Sequence, residues 1–510
     1  MPQLCRRIVR AFNKIYTLNT KRKTLLINWK IIWKIIGQLL GLEATLMLGC
    51  LVMSLAYGED DAYAFAVSVV TTALTGGALH YIGHNSSNTM SRRDSFLLVT
   101  LVWLVFSLFG SFPFYLSGYV PSITDSYFET ISGFTTTGAS LIDDVERLPH
   151  ALLFWRSLTQ WVGGLGIVFF TIAIIPSMVG GSVKVFSAEA TGPMRTKMHP
   201  RLSTTGHWIW GIYSLMTLVC ALCFYLEGMS GFDCFNYAMT VTATGGFATH
   251  NASTGYFKNA AIDYTAIFFM FLCGTSFTLL YLAIFKHKIK EFFKNSEFRL
   301  YVSVIVVCTV LIMFIVMRGC HYPVADAFRS SLFQVVSFLT TTGVFNDDAG
   351  QWPHITWVIL TVCMFIGGCS GSTSGGFKCV RMVMLWKMLR NELRSTLHPS
   401  AVLPVRVNGY VVSVNRQLAL FAFFTAYVLL CLFVYFIMMI LGIDSTNAFT
   451  IAFSCASNVG PTLGLEIGPT MSWSHLPDVV KWLLSLLMLM GRLEILSVLV
   501  LFTRSFWRDK

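Results

Sequence analysis

The stretch FLTTTGVFND occupies residues 338–347, and three similar stretches occur elsewhere in the same chain. They read GFTTTGAS at 133–140, TVTATGGFAT at 240–249 and CASNVGPTLG at 455–464. We call these the four glycine segments and number them in chain order. Each contains a glycine on which the four can be aligned, namely Gly138, Gly245, Gly343 and Gly460. These glycines are separated by 107, 98 and 117 residues by subtraction, so the spacing predicts four similar structural units.

The composition around these segments is that of a membrane protein, because 55% of the 510 residues are apolar and only 12% are charged. Apolar stretches of about 20 residues recur, and each is long enough for a helix to cross roughly 30 Å of hydrocarbon. We predict about ten crossings. They lie at 35–57, 63–83, 95–118, 151–177, 207–227, 261–285, 298–317, 354–386, 417–442 and 476–503.

The net charge of +12 raises the possibility of a nucleic-acid partner, but the positions of the charges favour a lipid bilayer. Residues 1–34 carry nine basic residues and no acidic one, whereas the next loop holds Glu59, Asp60 and Asp61. Lys and Arg concentrate in the cytoplasmic loops of membrane proteins. This alternation predicts that both termini are cytoplasmic and that the chain does not bind nucleic acid.

Each glycine segment follows a crossing and a stretch that can form a short re-entrant helix, and each leads into another crossing. The four short helices are predicted at 122–134, 231–241, 325–339 and 444–456. The predicted fold is an all-α integral membrane protein with two N-terminal helices followed by four helix–pore loop–helix repeats around a central ion pore. The predicted units are a basic cytoplasmic N-terminus at 1–34, two extra helices at 35–94, and pore repeats at 95–205, 206–297, 298–414 and 415–510.

The glycine segments have a composition suited to ion coordination by the backbone. Irregular backbone is tolerated at membrane depth only where it packs against protein or lines a water-filled cavity. Glycine permits unusual dihedral angles and close approach, so four such loops can form rings of carbonyl oxygens that replace an ion's hydration shell. The alternative is a face of small residues that only packs helices together. The candidate filter residues are Thr136, Thr137, Gly138, Ala243, Thr244, Gly245, Thr341, Thr342, Gly343, Asn458, Val459 and Gly460.

The four pore loops, the two extra N-terminal helices and the SNVGP of the fourth segment resemble the Trk, Ktr and HKT superfamily of potassium transporters, in particular its TrkH-type uptake subunits. The similarity covers essentially residues 35–505. The resemblance implies potassium as substrate, because family members with serine in the first loop favour sodium and this chain has glycine in all four. The fourth segment departs from the TTTG pattern with Asn458 and Val459, so the predicted filter is only approximately four-fold symmetric.

The same resemblance implies partners and a location. It implies a homodimer with one pore per subunit, in the cytoplasmic (inner) membrane of a bacterium. It also implies a separate cytosolic TrkA-type nucleotide-binding regulatory ring that docks on basic inner loops such as 184–201 and 378–416. No cofactor is expected to bind this chain, and it is not expected to be an enzyme.

The eighth crossing contains IGGCSGSTSGGFK at 366–378, a run rich in glycine and serine. Each glycine costs roughly 1 kcal/mol relative to alanine within a helix, so we predict that this run leaves the helical conformation. The alternative is a kinked helix packed through small residues. In the family that the chain resembles, the matching loop lies across the pore and gates it. The candidate gate residues are therefore Gly368, Ser370, Gly371, Ser372, Thr373, Ser374, Gly375 and Gly376.

Arg492 lies near the middle of the last predicted crossing, where an arginine costs about 2.5–3.5 kcal/mol on insertion scales. Its side chain is expected to face water, a carboxylate or backbone carbonyls. Glu494 is a poor partner, because residues two apart point to different faces of a helix. The resemblance implies that Arg492 contacts the gating loop from across the pore. A structural ion pair with another helix is the alternative.

Two other functional classes were considered. An intramembrane enzyme could use His80 and His84, but Tyr81 stands where a zinc protease of the HExxH type needs glutamate. GGLG at 163–166 lacks the strand and the lysine of a nucleotide loop. The nearer alternative is an ion-coupled secondary transporter, which would carry potassium together with protons or sodium (symport).

Overall fold

The computed structural model describes residues 27–86, 90–166, 202–464 and 471–508, and for 202–205 the backbone alone. Most of the predicted basic N-terminus, the inner loop at 184–201 and part of the crossing at 151–177 lie outside these ranges. Within them the chain is helical apart from turns, loops and one short hairpin, in which Arg406–Val407 pairs antiparallel with Tyr410–Val411.

The first two helices form a closely packed pair. Helix α1 (Trp29–Tyr57) begins at Asn28, whose side chain accepts a hydrogen bond from the amide of Ile31, and ends at Gly58 in the left-handed conformation. Helix α2 (Ala62–Gly83) returns alongside it. A Cβ at Gly37 would lie 2.5 Å from the carbonyl oxygen of Gly76, so the two backbones approach as small residues allow in membrane helix pairs.

The rest of the described chain contains a sequence of long helix, short helix and further helix four times. The first set is α3 (Arg92–Gly110) with its extension α4 (Phe112–Leu116), then α5 (Ile123–Phe134) and α6 (His150–Gly164). The second is α7 (Leu202–Leu226), α8 (Gly231–Ala243), α9 (Ala260–Cys273) and α10 (Phe277–Phe285), followed by α11 (Ile289–Lys294). The third is α12 (Ser296–Gly319), α13 (Val324–Leu339), α14 (His354–Ile366) and α15 (Cys379–Leu397). The fourth is α16 (Val414–Ile440), α17 (Ser445–Ser457), α18 (Asp478–Arg492) and α19 (Ile495–Leu499), followed by α20 (Arg504–Trp507).

The short helices α5, α8, α13 and α17 begin and end within two residues of their predicted positions. Their starts follow from local chemistry. Ser122 caps α5 by accepting from the amide of Asp125, and Ser230 caps α8 by accepting from the amide of Asp233. Asp444 caps α17, while α13 starts directly after Pro323. Polar caps and proline at the first turn are the usual signals for a helix start.

Six of the described helices are long and apolar enough to cross a membrane, and two bent pairs raise this number to eight. The predicted crossing at 261–285 is not continuous, because α9 and α10 meet at 99°. The predicted crossing at 476–503 is likewise broken, with a bend of 114° after α18. The first break is stabilised by the neighbouring 367–378 loop, whose amides of Cys369 and Thr373 donate to the carbonyls of Gly274 and Cys273.

Candidate functional site

The four glycine segments share one backbone conformation. In each, an amide donates to the carbonyl five residues earlier, at 2.8–3.0 Å: Thr137 to Ser132, Gly245 to Thr240, Thr342 to Ser337 and Val459 to Ser454. The residue before each donor has a positive φ of 52–56°, namely Thr136, Thr244, Thr341 and Asn458. Residues other than glycine rarely adopt a positive φ, so its occurrence at four matched positions identifies a repeated and specialised loop.

The structure corrects the alignment of the second segment by one residue. Two residues after each positive-φ position stands a glycine with φ between 79° and 97°, and the four are Gly138, Gly246, Gly343 and Gly460. Gly246, not Gly245, is therefore the counterpart of Gly138, and the separations become 108, 97 and 117 residues by subtraction. The adjacent glycines of ATGG made both alignments compatible with the sequence. Gly245 instead matches Thr137, and Ala243 matches Thr135.

These four glycines bring the segments together in a closed ring. A Cβ added at Gly138 would lie 2.1 Å from the carbonyl oxygen of Gly245, and one at Gly246 would lie 2.3 Å from that of Thr342. The same construction places Gly343 against the carbonyl of Val459 at 2.1 Å and Gly460 against that of Thr137 at 2.3 Å. Segment one thus contacts two, two contacts three, three contacts four and four contacts one. Only glycine leaves room for such contacts.

The electrostatic environment of the ring favours a cation. The C-terminal ends of α5, α8, α13 and α17 all run into the glycine segments, and each helix C-terminus carries roughly half a negative charge. A cavity of about 100 Å³ opens on one side of the ring, and its lining includes all four ring glycines together with Asp143. The hydroxyls of Ser472 and Ser474 donate to Asp143 and hold the pKa of its carboxyl below the usual range.

A buried ion pair supports the first segment from behind. Arg156 of α6 donates through Nε to Glu129 of α5 at 2.9 Å, and both side chains are at most 2% exposed. The same guanidinium donates to the carbonyl of Ala248 at 3.1 Å and to Ser140 Oγ at 3.2 Å. It therefore joins the first segment to the second. This pair was not among the predicted site residues, although the charges at 129 and 156, in otherwise apolar surroundings, were the available signal.

The 367–378 stretch is not helical, and it lies against the C-terminal ends of the short helices. The amide of Gly375 donates to Thr341 Oγ1 at 2.6 Å, and that of Gly376 donates to the carbonyl of Ser457 at 2.8 Å. Thr373 Oγ1 donates to the carbonyl of Thr242 at 3.2 Å. The loop thus contacts the second, third and fourth repeated sets directly beneath their glycine segments.

The other predicted gate residues anchor the loop. Ser374 Oγ accepts from the amide of Gly368 at 2.9 Å, and Ser372 Oγ donates to the carbonyl of Cys369 at 2.6 Å. The carbonyl of Gly371 accepts from the amide of Phe277 at 2.9 Å, and the amide of Ser370 donates to buried Glu297. These bonds connect the loop to α10 and α12.

Arg492 connects three distant parts of the chain. Its guanidinium donates to the carbonyl of Thr373 at 2.9 Å in the loop, and to those of Gly163 and Gly164 at 2.7 and 2.8 Å at the end of α6. Arg492 is the last residue of α18 and lies at the 114° bend between the two halves of the last predicted crossing. Glu494 adopts a φ of 63° and pairs with Arg381 of α15.

Lys378 is a cationic residue that the sequence analysis did not single out. It is only 3% exposed, and its Nζ donates to the carbonyl of Ser374 within the loop. Two basic side chains, Lys378 of the loop and Arg492 of α18, therefore bond to carbonyls of the loop. The part of the chain that the structure describes contains no group of His, Cys, Asp and Glu suited to a metal ion, and His80 and His84 are exposed at the end of α2.

Comparison with known proteins identifies the family. A sequence model described as "TrkH: Cation transport protein" matches residues 62–509. The chain belongs to the TrkH family of cation transport proteins. Among TrkH relatives, the Trk system potassium uptake protein TrkH of Halomonas elongata is 35% identical over 484 residues, covering 94% of this chain and 99% of that one. The protein of the same name from Escherichia coli K12 is 33% identical over 488 residues, covering 94% and 100%.

The likeness to the TrkH family extends to three dimensions. The crystal structure of the potassium transporter TrkH from Vibrio parahaemolyticus matches with a TM-score of 0.85 and 33% identity, covering 94% of this chain and 99% of that one. The predicted resemblance is therefore confirmed. TrkH proteins are transport proteins of the membrane, so this chain is a transporter and an integral membrane protein rather than an enzyme.

Proposed function

We propose that this protein takes up potassium ions across the cytoplasmic membrane through a pore lined by the four glycine segments. The observation that carries the proposal is the closed ring, in which four loops of one conformation contact each other through Gly138, Gly246, Gly343 and Gly460. A four-membered ring of loops, each at the C-terminus of a short helix, suits the coordination of a dehydrated cation on an axis. The relatives named above as potassium uptake proteins support potassium as that cation.

In this proposal the architecture has two N-terminal helices followed by four pore repeats about one axis. The unit boundaries are those predicted from the sequence, at 35–94, 95–205, 206–297, 298–414 and 415–510. Filter carbonyls come from the positive-φ residues and from the residue after each, that is Thr136, Thr137, Thr244, Gly245, Thr341, Thr342, Asn458 and Val459. Four partially negative helix ends stabilise the ion there.

The 367–378 loop is the proposed gate. It lies beneath three of the four segments, and Arg492 fastens it to the end of α6 across the molecule. The charge of Arg492 adds electrostatic repulsion to the steric obstruction, because a cation leaving the ring inward must pass it. Opening requires that the loop release the carbonyl of Thr373 from Arg492.

The membrane potential can drive such uptake without a coupled ion. Moving one charge through 100 mV is worth roughly 2.3 kcal/mol, which corresponds to an accumulation of about fifty-fold. We further propose a homodimer in a bacterial inner membrane, with both termini cytoplasmic, and regulation by a cytosolic TrkA-type nucleotide-binding ring. The relatives are named as proteins of a Trk system, which supports a separate regulatory subunit.

The test is ion flux through the purified protein in liposomes. Uptake driven by an imposed potential is measured with potassium, rubidium and sodium in turn, and empty liposomes provide the baseline. We expect potassium and rubidium to enter and sodium to be discriminated against. Equal uptake of all three by folded protein, or uptake that requires a proton or sodium gradient, contradicts the proposal.

A further inference from the structure

Three of the four glycine segments are closed by their own serine. Ser132 Oγ donates to the carbonyl of Ala139 at 2.6 Å, and Ser337 Oγ donates to that of Val344 at 2.6 Å. Ser454 Oγ donates to the carbonyl of Pro461 at 3.1 Å. In each case the serine lies seven residues before the carbonyl, so the hydrogen bond spans the whole turn and fixes its curvature. We call this bond the serine clasp.

The second segment has no serine clasp. Its matching residue is Thr240, whose Oγ1 donates backward to the carbonyl of Tyr237 at 3.2 Å and not forward to Phe247. Threonine in a helix commonly bonds its hydroxyl to the preceding turn, because branching at Cβ restricts its rotamers. The second segment also contains the adjacent glycines Gly245 and Gly246, so two successive residues of its turn lack a side chain that would restrict their dihedral angles.

Gln160 of α6 occupies the position needed to replace the missing clasp. Its Nε2 donates to the carbonyl of Gly245 at 2.6 Å, and its Oε1 accepts from the amide of Phe247 at 3.0 Å. The side chain is fully buried. The side-chain carboxamide of Gln160 therefore bonds to both backbone groups that flank Gly246, whose φ is 86°. These two bonds fix the orientation of the peptide units on either side of the ring glycine.

The corresponding residue of the fourth set cannot form the same pair of hydrogen bonds. Gly163 of α6 and Gly491 of α18 both face the carbonyl two residues before the positive-φ position, that of Phe134 and that of Ala456 respectively. Gln160 is thus matched by Met488, three residues earlier in each helix. The carbonyl of Met488 accepts from Asn458 Nδ2, but its side chain has no amide.

We propose that Gln160 is a selectivity-determining positioning residue that holds the second filter segment in its coordinating conformation from outside the segment. The inference rests on the proposed function, because it assumes that the glycine segments form the filter. The inference assigns part of the discrimination between potassium and sodium to Gln160. This side chain belongs to the first repeated set, acts on the second segment and has no contact with the ion. Each segment is then fixed by one polar clasp, three internal and one supplied by α6.

The test compares ion selectivity with folding in three variants. Gln160→Met keeps the length of the side chain but removes the amide, and we expect the potassium-to-sodium permeability ratio to fall about tenfold. Ser157→Ala on the same helix is the matched control, because Ser157 Oγ bonds only to the carbonyl of Leu153 one turn away. Its selectivity should equal that of the parent.

The third variant, Gln160→Met with Thr240→Ser, restores the possibility of a serine clasp and should recover part of the ratio.

Reversal potentials under potassium and sodium gradients provide the ratio, and melting temperature reports folding on the same preparation. A folded Q160M protein with parental selectivity overturns the inference. Gly138→Ser, measured in parallel, separates the two levels of the argument: if G138S alters selectivity and Q160M does not, the filter stands and the role of Gln160 is wrong. If neither alters it, the filter proposal itself fails. If Q160M does not fold, Gln160→Asn takes its place, because the shorter asparagine side chain does not reach the backbone groups of Gly245 and Phe247. Parental selectivity in Q160N likewise contradicts the role of Gln160.

Discussion

Gly138 shows how little space a ring residue has. Its φ of 79° is unfavourable for any side chain, and a Cβ would lie 2.1 Å from the carbonyl oxygen of Gly245. Real Cβ atoms do not approach an oxygen so closely, so a side chain at this position displaces the second segment. The contact is with backbone, which cannot rotate away as a flexible side chain could. The residue is therefore expected to control the geometry of two segments at once.

We expect Gly138→Ser to lower the preference for potassium over sodium by about tenfold, equivalent to roughly 1.4 kcal/mol. The cause is the displacement of a carbonyl that the proposal assigns to the filter. Reversal potentials in liposomes provide the measurement. Gly49→Ser is the control, because a Cβ at Gly49 of α1 has nothing within 4 Å. A well-folded G138S protein with unchanged selectivity removes Gly138 from the filter.

Arg492→Ala is expected to raise rubidium uptake by about tenfold or more while leaving ion preference unchanged. A hydrogen bond to a charged group contributes roughly 1.5–3 kcal/mol, and the loss of the bond to Thr373 shifts the loop away from its closed position. Arg504→Ala is the control, because Arg504 is exposed in α20. Arg492→Lys should give intermediate uptake, since lysine lacks the fixed fork of donors.

The outcome that contradicts the gating role of Arg492 is a protein with a lower melting temperature and parental or lower uptake. In that case the three carbonyl contacts serve stability alone.

At the residue scale, the sequence located the loops in which the backbone conformation restricts the residue type. The four positive-φ positions lie at predicted filter residues, and Arg492 contacts one carbonyl of the loop, that of Thr373. It was wrong by one residue in the second segment, because Gly245 and Gly246 are interchangeable in a sequence but not in a backbone. Gln160 and Arg156 were not found, because the carbonyls they bind are 85 and 92 residues away in the chain. The sequence around a polar side chain does not indicate so distant a partner.

At the scale of elements, the 367–378 loop combines tight anchoring with a lack of helical bonds. Its contacts to Ser457 and Thr242 are single hydrogen bonds, whereas Thr341 bonds to both Gly375 and Ser374, and the three partners belong to three different repeated sets. Neighbouring Gly367, Gly371 and Gly376 all have positive φ. Such a segment can change its path by rotating a few glycine dihedrals, without disturbing the helices on either side.

Removal of residues 370–375 is expected to raise potassium flux severalfold in the absence of any cytosolic partner, because the shortened connection cannot reach beneath the segments. Liposome uptake provides the measurement. The potassium-to-sodium ratio is measured on the same sample, because it should remain parental if the filter is intact. A folded shortened protein that conducts no better than the parent shows that the loop is structural and that the gate lies elsewhere.

The positions of the helices were more predictable than their continuity. Starts such as Ser122 and Ser230 have local signals, and apolar runs have the right length. The bends after Cys273 and Arg492 were not predicted, because each is stabilised from elsewhere. The loop's amides satisfy the carbonyls freed at Cys273 and Gly274, and Arg381 pairs with Glu494 beyond the second bend.

At the scale of the whole molecule, the loops that follow the first and second glycine segments meet through charged groups around His250. Its ring nitrogens lie 3.4 Å from Glu146 and 3.5 Å from Asp233, and the ring stacks on Tyr256 at 3.6 Å between centroids. Burial opposes protonation of this ring, but the interactions with Asp233 and Glu146 outweigh it and raise the pKa of His250 above 6.5.

Thermal stability is therefore expected to depend on pH near neutrality. A histidine whose pKa is higher in the folded state adds stability that is complete below its unfolded value and is lost as pH rises through the folded value. The melting temperature of the parent should fall as pH is raised from about 6 to 8. In His250→Phe, which can keep the stacking on Tyr256, this fall should be smaller.

The comparison is of slopes within each protein, so a general loss of stability in H250F does not confuse it. An identical slope in H250F and the parent shows that the protonated ring contributes nothing to folding.

The contacts of Arg492 also have a consequence for the order in which the protein is made. Its three carbonyl partners precede it by 119, 329 and 328 residues. A ribosome synthesises and inserts all of them long before it reaches residue 492. During that interval the loop lacks its fastening, whereas the first three glycine segments are already in the membrane. The ring itself cannot close before the fourth segment arrives, at 455–464. Under the proposed function, the pore is completed and then restrained by Arg492 within a short stretch of translation, which limits the time during which a growing chain would leak ions.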